Sequence, residues 1–186
     1  MHRSVAQSLF VFKKHDATRL HYDFRLAWNG VLKSWAIPDG PSYCPERPRE
    51  AIQMEDHARE HAAFEGMIPE GRPGAGTVML WDRGFWEFHP GCDVDAGLRD
   101  GRLEFTLCGE KIKGDWTLVR MPDKGVIHRR PVWLLSKTAD QFARPCNEPN
   151  ILEEEPNSVL TGRSLEEIAQ DWLKGKRKNP SQGELF

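Results

Sequence analysis

The 186-residue chain lacks any apolar run near the ~20 residues that a membrane helix needs. Its first residues, Met1-His2-Arg3-Ser4-Val5-Ala6-Gln7-Ser8, hold no apolar stretch of the kind a signal peptide carries. Both absences predict a cytoplasmic protein. A charge surplus is missing too: 26 Lys+Arg stand against 28 Asp+Glu, for a net −2. Bulk basicity is therefore excluded as a means of holding nucleic acid, and any such role rests on a local patch. Cysteine is scarce. Cys44, Cys92, Cys108 and Cys146 form no C-x-x-C pair, which excludes a zinc knuckle and predicts free thiols in a cytosolic chain. Internal repeats and low-complexity linkers are absent, so a single domain with a real core is expected.

What is present is mostly strand-like. Leu9–Phe12 is an apolar run, and His21–Leu26 alternates polar with apolar, the period of a half-buried strand. Asn29-Gly30 predicts a hairpin into Val31–Ile37. Asp82-Arg83-Gly84 predicts another, between Thr77–Trp81 and Phe85–Phe88. Leu103–Leu107, Trp116–Arg120 and Val132–Leu135 follow. Many short strands at close spacing predict a mainly β protein, a closed β-barrel or a sandwich. Seven tryptophans against two tyrosines suit a large aromatic core. Helical signals are few. Ser164-Leu165-Glu166-Glu167 is a capping box that opens a C-terminal helix through Lys174, with Gly175 as its C-cap. The parse is an extension at 1–9, a barrel domain at 10–175 and a basic flexible tail at 176–186.

The chemistry concentrates between His15 and Arg25. On a strand, His21, Asp23 and Arg25 share one face, while Tyr22, Phe24 and Leu26 take the other. Solubility alone is better served by Thr, Lys or Glu, so His and Asp in a row point to ligation. With His15, they offer two imidazoles and a carboxylate, a donor set for a borderline divalent metal such as manganese, iron or zinc. A structural His cluster is the competing reading of the same spacing. His57 lies in Met54-Glu55-Asp56-His57, with His61 close by. Its acidic neighbours predict a raised pKa and an imidazolium able to hold a phosphate oxygen or protonate a leaving group. Pro69–Thr77 is Gly-rich but lacks the G-K-[ST] ending and the following helix of a phosphate loop. It reads as a tight loop feeding a strand.

Phe10–Leu26 closely resembles the opening of the 3′-phosphoesterase module of bacterial DNA ligase D. So do Gly30–Ala36, Glu55-Asp56-His57, Phe64–Gly71, Gly74–Val78 and Ser158–Arg163, and the likeness runs from Phe10 to about Ala169. The resemblance implies a compact closed β-barrel with a few short helices and a manganese-dependent site. It implies removal of a 3′-terminal ribonucleoside and then of the 3′-phosphate, leaving a 3′-OH. Mapped by motif, His15, His21 and Asp23 would bind Mn2+; Arg25, Arg49 and His57 would hold phosphate, with Glu55 as a supporting residue. His61 stands where the family has Tyr, and it would supply a further phosphate-binding cation. Asp39 stands where the family has Lys. The implied partners are DNA or RNA-containing 3′ ends at primer-template junctions, a DNA ligase and Ku-type end-joining proteins, with association to the nucleoid and none to a membrane. The ligase and polymerase modules are missing, so the resemblance is to a free-standing relative.

Two other readings compete. His21-Tyr22-Asp23 followed by His57 has the H-x-D…H form of a non-haem iron oxygenase triad, which leaves His15 and Arg25 unexplained. With Asp39 in the phosphate pocket, the domain would bind ends without turnover and recruit repair partners.

Overall fold

The computed structural model describes residues 8–122, 126–127 and 129–178. In chain order the strands are β1 Ser8–Asp16, β2 Leu20–Trp28, β3 Val31–Ile37, β4 Arg49–Gln53, β5 His57–Ala58, β6 Gly66–Ile68, β7 Gly76–Phe88, β8 Arg102–Gly109, β9 Lys113–Arg120, β10 Val126–Ile127 and β11 Arg130–Lys137. A 3-10 turn, Arg59–His61, follows β5. The α-helices are α1 Val94–Asp100, α2 Ile151–Glu154 and α3 Leu165–Lys178. The sheet runs β1-β2-β3-β4-β11-β9-β8-β7, and β7 pairs back onto β1 to close an eight-stranded barrel. All these pairings are antiparallel. The expected barrel is therefore the fold observed.

The barrel interior is filled with aromatic rings. Trp35, Trp81, Trp86, Trp116, Trp133, Phe10, Phe12, Phe24 and Phe105 are all 2% exposed or less. Phe12 stacks on Phe24 with centroids 4.5 Å apart, and Trp81 meets Phe12 edge-on at 6.1 Å. Each such ring contributes about 1.5–3 kcal/mol through burial. An interior packed this way leaves no room for a ligand, so binding chemistry falls to the outer face and its loops.

Local chemistry accounts for the connections. Asn29 (φ 48°) and Gly30 (φ 81°) adopt the two left-handed conformations of a tight hairpin between β2 and β3. Ser164 Oγ accepts the Glu167 amide, as a capping box requires. Glu65 ties the C-terminal segment to the barrel: its carboxylate accepts the Leu80 amide and the Ser158 and Thr161 hydroxyls, and it pairs with Arg163 at 3.2 Å.

Three expectations are corrected. Asp82-Arg83-Gly84 is no turn but the middle of the 13-residue β7. The fully buried Asp82 carboxylate accepts the Lys111 and Ile112 amides, and a Cβ on Gly84 would lie 2.1 Å from the Cys108 carbonyl oxygen. The triplet thus serves a close approach to the β8–β9 turn, chemistry that imitates a hairpin signal. Secondly, α3 continues past Gly175 to Lys178, so residues 176–178 belong to the helix; 179–186 lie outside the described residues. Nothing packs within 4 Å of a Cβ placed at Gly175, and the helix passes through it. Thirdly, Cys44 and Cys146 are joined as a disulfide with Cα atoms 5.1 Å apart, while Cys92 and Cys108 are free. A separation of 102 residues gave no sequence signal for this pairing. Closing so long a loop stabilises by about 2–4 kcal/mol. Reductant should accordingly lower the thermal midpoint of the wild type and leave that of Cys44→Ser unmoved, as read by calorimetry.

Candidate metal and phosphate site

The site is built on the outer face of β1 and β2. Alternation on β2 sends Tyr22, Phe24 and Leu26 into the core and presents His21, Asp23 and Arg25 outward. The antiparallel register sets His15 directly opposite His21 and Lys13 opposite Asp23. Donor atoms of His15, His21 and Asp23 all lie within 4.8 Å of one another. His15 Nδ1 is 3.3 Å from Asp23 Oδ2, and His21 Nε2 is 3.3 Å from Asp23 Oδ1.

The remaining ring nitrogens are anchored by backbone. His15 Nε2 donates to the Gly74 carbonyl at 2.8 Å, and His21 Nδ1 donates to the Arg19 carbonyl at 2.9 Å. A carbonyl can only accept, so each ring keeps its N–H there and turns its other nitrogen to Asp23. This is the outer arrangement that orients metal-binding histidines. Gly74 reaches this position with φ 75°, a conformation most side chains avoid. The Gly-rich loop thereby has a role that its sequence did not reveal. Burial opposes the Asp23 charge, but hydrogen bonds from His15 and His21 outweigh it and hold the carboxyl well below its ordinary range. Burial likewise opposes charge on His21, and its hydrogen bond to Asp23 prevails, raising its pKa. Two imidazoles converging on an ionised, buried carboxylate fit a divalent cation held among the three groups.

Around this cluster opens a cavity of about 480 Å³ lined by Arg25, His57, His61, Glu55, Lys13 and Arg130 as well as the three donors. Arg25 is 9% exposed, and its Nε is buried without a hydrogen-bond partner. An unpartnered guanidinium nitrogen beside such a cavity fits an anionic oxygen. Burial, and next the Asp23 charge in the opposite sense, leave the Arg25 pKa lowered.

His57 departs from expectation in its charge. Burial first, and then the Arg25 charge, lower its pKa rather than raise it. The acidic neighbours are engaged elsewhere: Asp56 pairs with Lys33 at 2.9 Å, and Glu55 with Arg130 at 3.4 Å. His57 Nδ1 instead donates to the Glu55 backbone carbonyl at 2.9 Å, with Ser34 Oγ at 3.2 Å.

Two further residues fall outside the cavity. Arg49 shares its side of β4 with Ala51 and Gln53, the side facing Trp133, and it lines a separate cleft with Arg47, Arg144 and the Cys44–Cys146 bridge. The strand register therefore separates Arg49 from Arg25 and His57. Asp39 is exposed beyond the end of β3 and does not line the cavity. The H-x-D…H triad also fails to assemble among the described residues, because the third donor beside His21 and Asp23 is His15 and not His57.

Sequence reasoning missed Lys13 and Arg130. Lys13 was legible in principle, since it lies two residues before His15 on the same face. It is 2% exposed, and its ammonium donates to the carbonyls of His61 and of Phe64, the latter at 2.9 Å. It thus straps the turn bearing His61 onto β1. Arg130 arrives from β11, at a distance in sequence that no local pattern reports.

Burial, reinforced by Arg25, lowers the Lys13 pKa from 10.5 to about 7. The folded value is depressed, so this group's contribution to stability is fullest above 10.5 and is lost as pH falls toward about 7. Lys13→Met should flatten the stability–pH curve across that window, as measured by urea unfolding at both ends.

Known proteins place these features in one family. Residues 13–120 match the profile of the DNA ligase D 3′-phosphoesterase domain. The chain is 47% identical over 156 residues to the multifunctional non-homologous end joining protein LigD of Pseudomonas aeruginosa, an alignment covering 84% of this chain and 18% of that protein. It is 38% identical over 141 residues to LigD of Mycolicibacterium smegmatis, covering 73% and 18%. LigD of Mycobacterium tuberculosis is 40% identical over 121 residues, covering 64% and 16%. The chain thus spans less than a fifth of the length of these relatives. No described helix is long and apolar enough to cross a membrane. By the match of its profile and its identity to these relatives, the chain belongs to the DNA ligase D 3′-phosphoesterase domain family.

Proposed function

We propose that this chain is a divalent-metal-dependent phosphoesterase, with manganese as its metal, that trims 3′ ends at DNA breaks. It removes a 3′-terminal ribonucleoside and then the 3′-phosphate, leaving a 3′-OH for ligation. The observation that carries this reading is the His15–His21–Asp23 cluster, in which both imidazoles are oriented by backbone carbonyls toward one carboxylate. Manganese accepts such a mixed nitrogen and oxygen set. When bound there, it supplies charge neutralisation and an acidified water.

The chain's own residues do the rest. Arg25 presents its unpartnered Nε to a phosphate oxygen, and its fixed fork suits bidentate binding. His57 keeps Nδ1 on the Glu55 carbonyl, leaving Nε2 to meet the substrate. His61 stands at the cavity rim on the turn strapped by Lys13. Arg49, whose Nε is likewise buried without a hydrogen-bond partner, lines a separate cleft and not this cavity. A DNA ligase and Ku-type end-joining proteins are the partners this reading implies, with action at the nucleoid.

The direct test is a primer-template bearing a 3′-phosphate, incubated with and without manganese. Phosphate release should require the metal, and His21→Ala should reduce it to background while circular dichroism stays native. Full activity in His21→Ala would sink the metal assignment. Because Asp39 lies off the cavity, Asp39→Lys should leave both KM and kcat within about twofold of wild type, as expected of an exposed charge with no site contact. A marked gain in that variant would bring Asp39 back into the pocket and revive the reading of an end-binding module with impaired turnover.

A further inference from the structure

The cations around the cavity stand in graded environments. Arg25 lies deep, beside the metal donors, and Lys13 is committed to two backbone carbonyls. Arg130 is different. Its side chain is 34% exposed and enters from β11, the far side of the cavity from β1. It also lies past the end of the region, 13–120, matched by the family profile. One of its terminal nitrogens, Nη2, sits 3.4 Å from the Glu55 carboxylate, which is itself 85% exposed. A guanidinium carries five N–H donors, so one long contact orients it without exhausting it.

The size of the cavity gives this placement meaning. Its ~480 Å³ exceeds what one phosphate group fills and falls in the range of sites that enclose a whole small ligand. The apolar side chains of Met54, Phe64, Ile68 and Val78 supply wall area that a phosphate alone would not use. With a terminal phosphate at Arg25 and its nucleoside against these walls, the preceding phosphodiester of a strand leaves at the rim. A lone carboxylate there would repel it, and Glu55 paired with Arg130 does not.

We infer that Arg130, held by Glu55, binds the phosphodiester next to the terminal group, and so makes the site prefer a strand over a mononucleotide. The inference rests on the phosphoesterase reading above. Glu55 is on this account a positioning residue that acts through Arg130.

The experiment compares two substrates, a 3′-phosphorylated DNA primer-template and deoxythymidine 3′-monophosphate, each with manganese. Arg130→Ala should raise KM for the primer-template about tenfold more than for the mononucleotide, the size of one charge-assisted phosphate contact. The slope of log(1/KM) for the primer-template against log salt should fall by about one unit, as when one phosphate contact is lost. Arg130→Lys, which keeps the charge, should retain the wild-type slope. Glu55→Gln should shift the primer-template KM in the same direction, whereas in the Arg130→Ala background, where the unpaired carboxylate repels the strand, it should lower that KM instead. Equal losses on the two substrates, an unchanged salt slope, or a Glu55→Gln change that still raises the primer-template KM without Arg130 would each overturn the inference. Failure of the wild type to release phosphate from either substrate would instead overturn the phosphoesterase reading itself.

Discussion

Everything at this site depends on one buried charge. Asp23 sits on the outer face of a barrel strand, yet it is only 9% exposed and ionised well below the ordinary carboxyl range. An isolated carboxylate in that position would be strongly unfavourable. Two imidazoles offset the cost, and their own orientation depends on the carbonyls of Arg19 and Gly74. The cluster therefore ties the β1–β2 turn to the Gly-rich loop ahead of β7. A site whose charge must be balanced by adjacent donors is already arranged to accept a divalent cation.

The barrel makes this arrangement rigid. Closure through the β1–β7 pairing puts β1 between β2 and β7, so His15 is braced by paired strands on both sides. The aromatic interior excludes ligands from the lumen and leaves the outer face to carry chemistry. A second, smaller apolar cluster of Val11, Ala27, Leu32, Ala62 and Leu80 packs under the segment that bears His57 and His61. Lys13 completes that support by binding the carbonyls of the following turn. The mouth of the cavity is thus held by packing on one side and by a buried ammonium on the other.

Charge within the cavity is local and compensated. Lys33 and Arg130 engage Asp56 and Glu55, and this lets burial and Arg25 set the protonation of His57. Reading the run Glu55-Asp56-His57 as one electrostatic unit fails for that reason. Adjacent carboxylates act on a histidine only when their side chains face it, and here they face lysine and arginine from other strands. The near-neutral net charge of the chain is compatible with a grip on a polyanion, because the cations that matter converge on one cavity.

How much was legible follows from the range of each interaction. Strand alternation is local, so His21, Asp23 and Arg25 could be placed on one face, and Asn29-Gly30 on a tight turn, from the sequence by itself. The capping box at Ser164 was equally local, though the helix it starts runs through Gly175 because nothing nearby forces a stop. Asp82-Arg83-Gly84 misled because the residues that make a turn also serve a close strand approach, and only the neighbour Cys108 distinguishes the two. The sequence by itself determined a β protein whose second strand presents a ligating face. Only the tertiary structure decided which groups meet that face. It brought in Gly74, Lys13 and Arg130, it sent Arg49 and Asp39 elsewhere, and it paired Cys44 with Cys146. These outcomes turn on strand register and barrel closure, which set distances between residues far apart in the chain and leave no trace in local spacing.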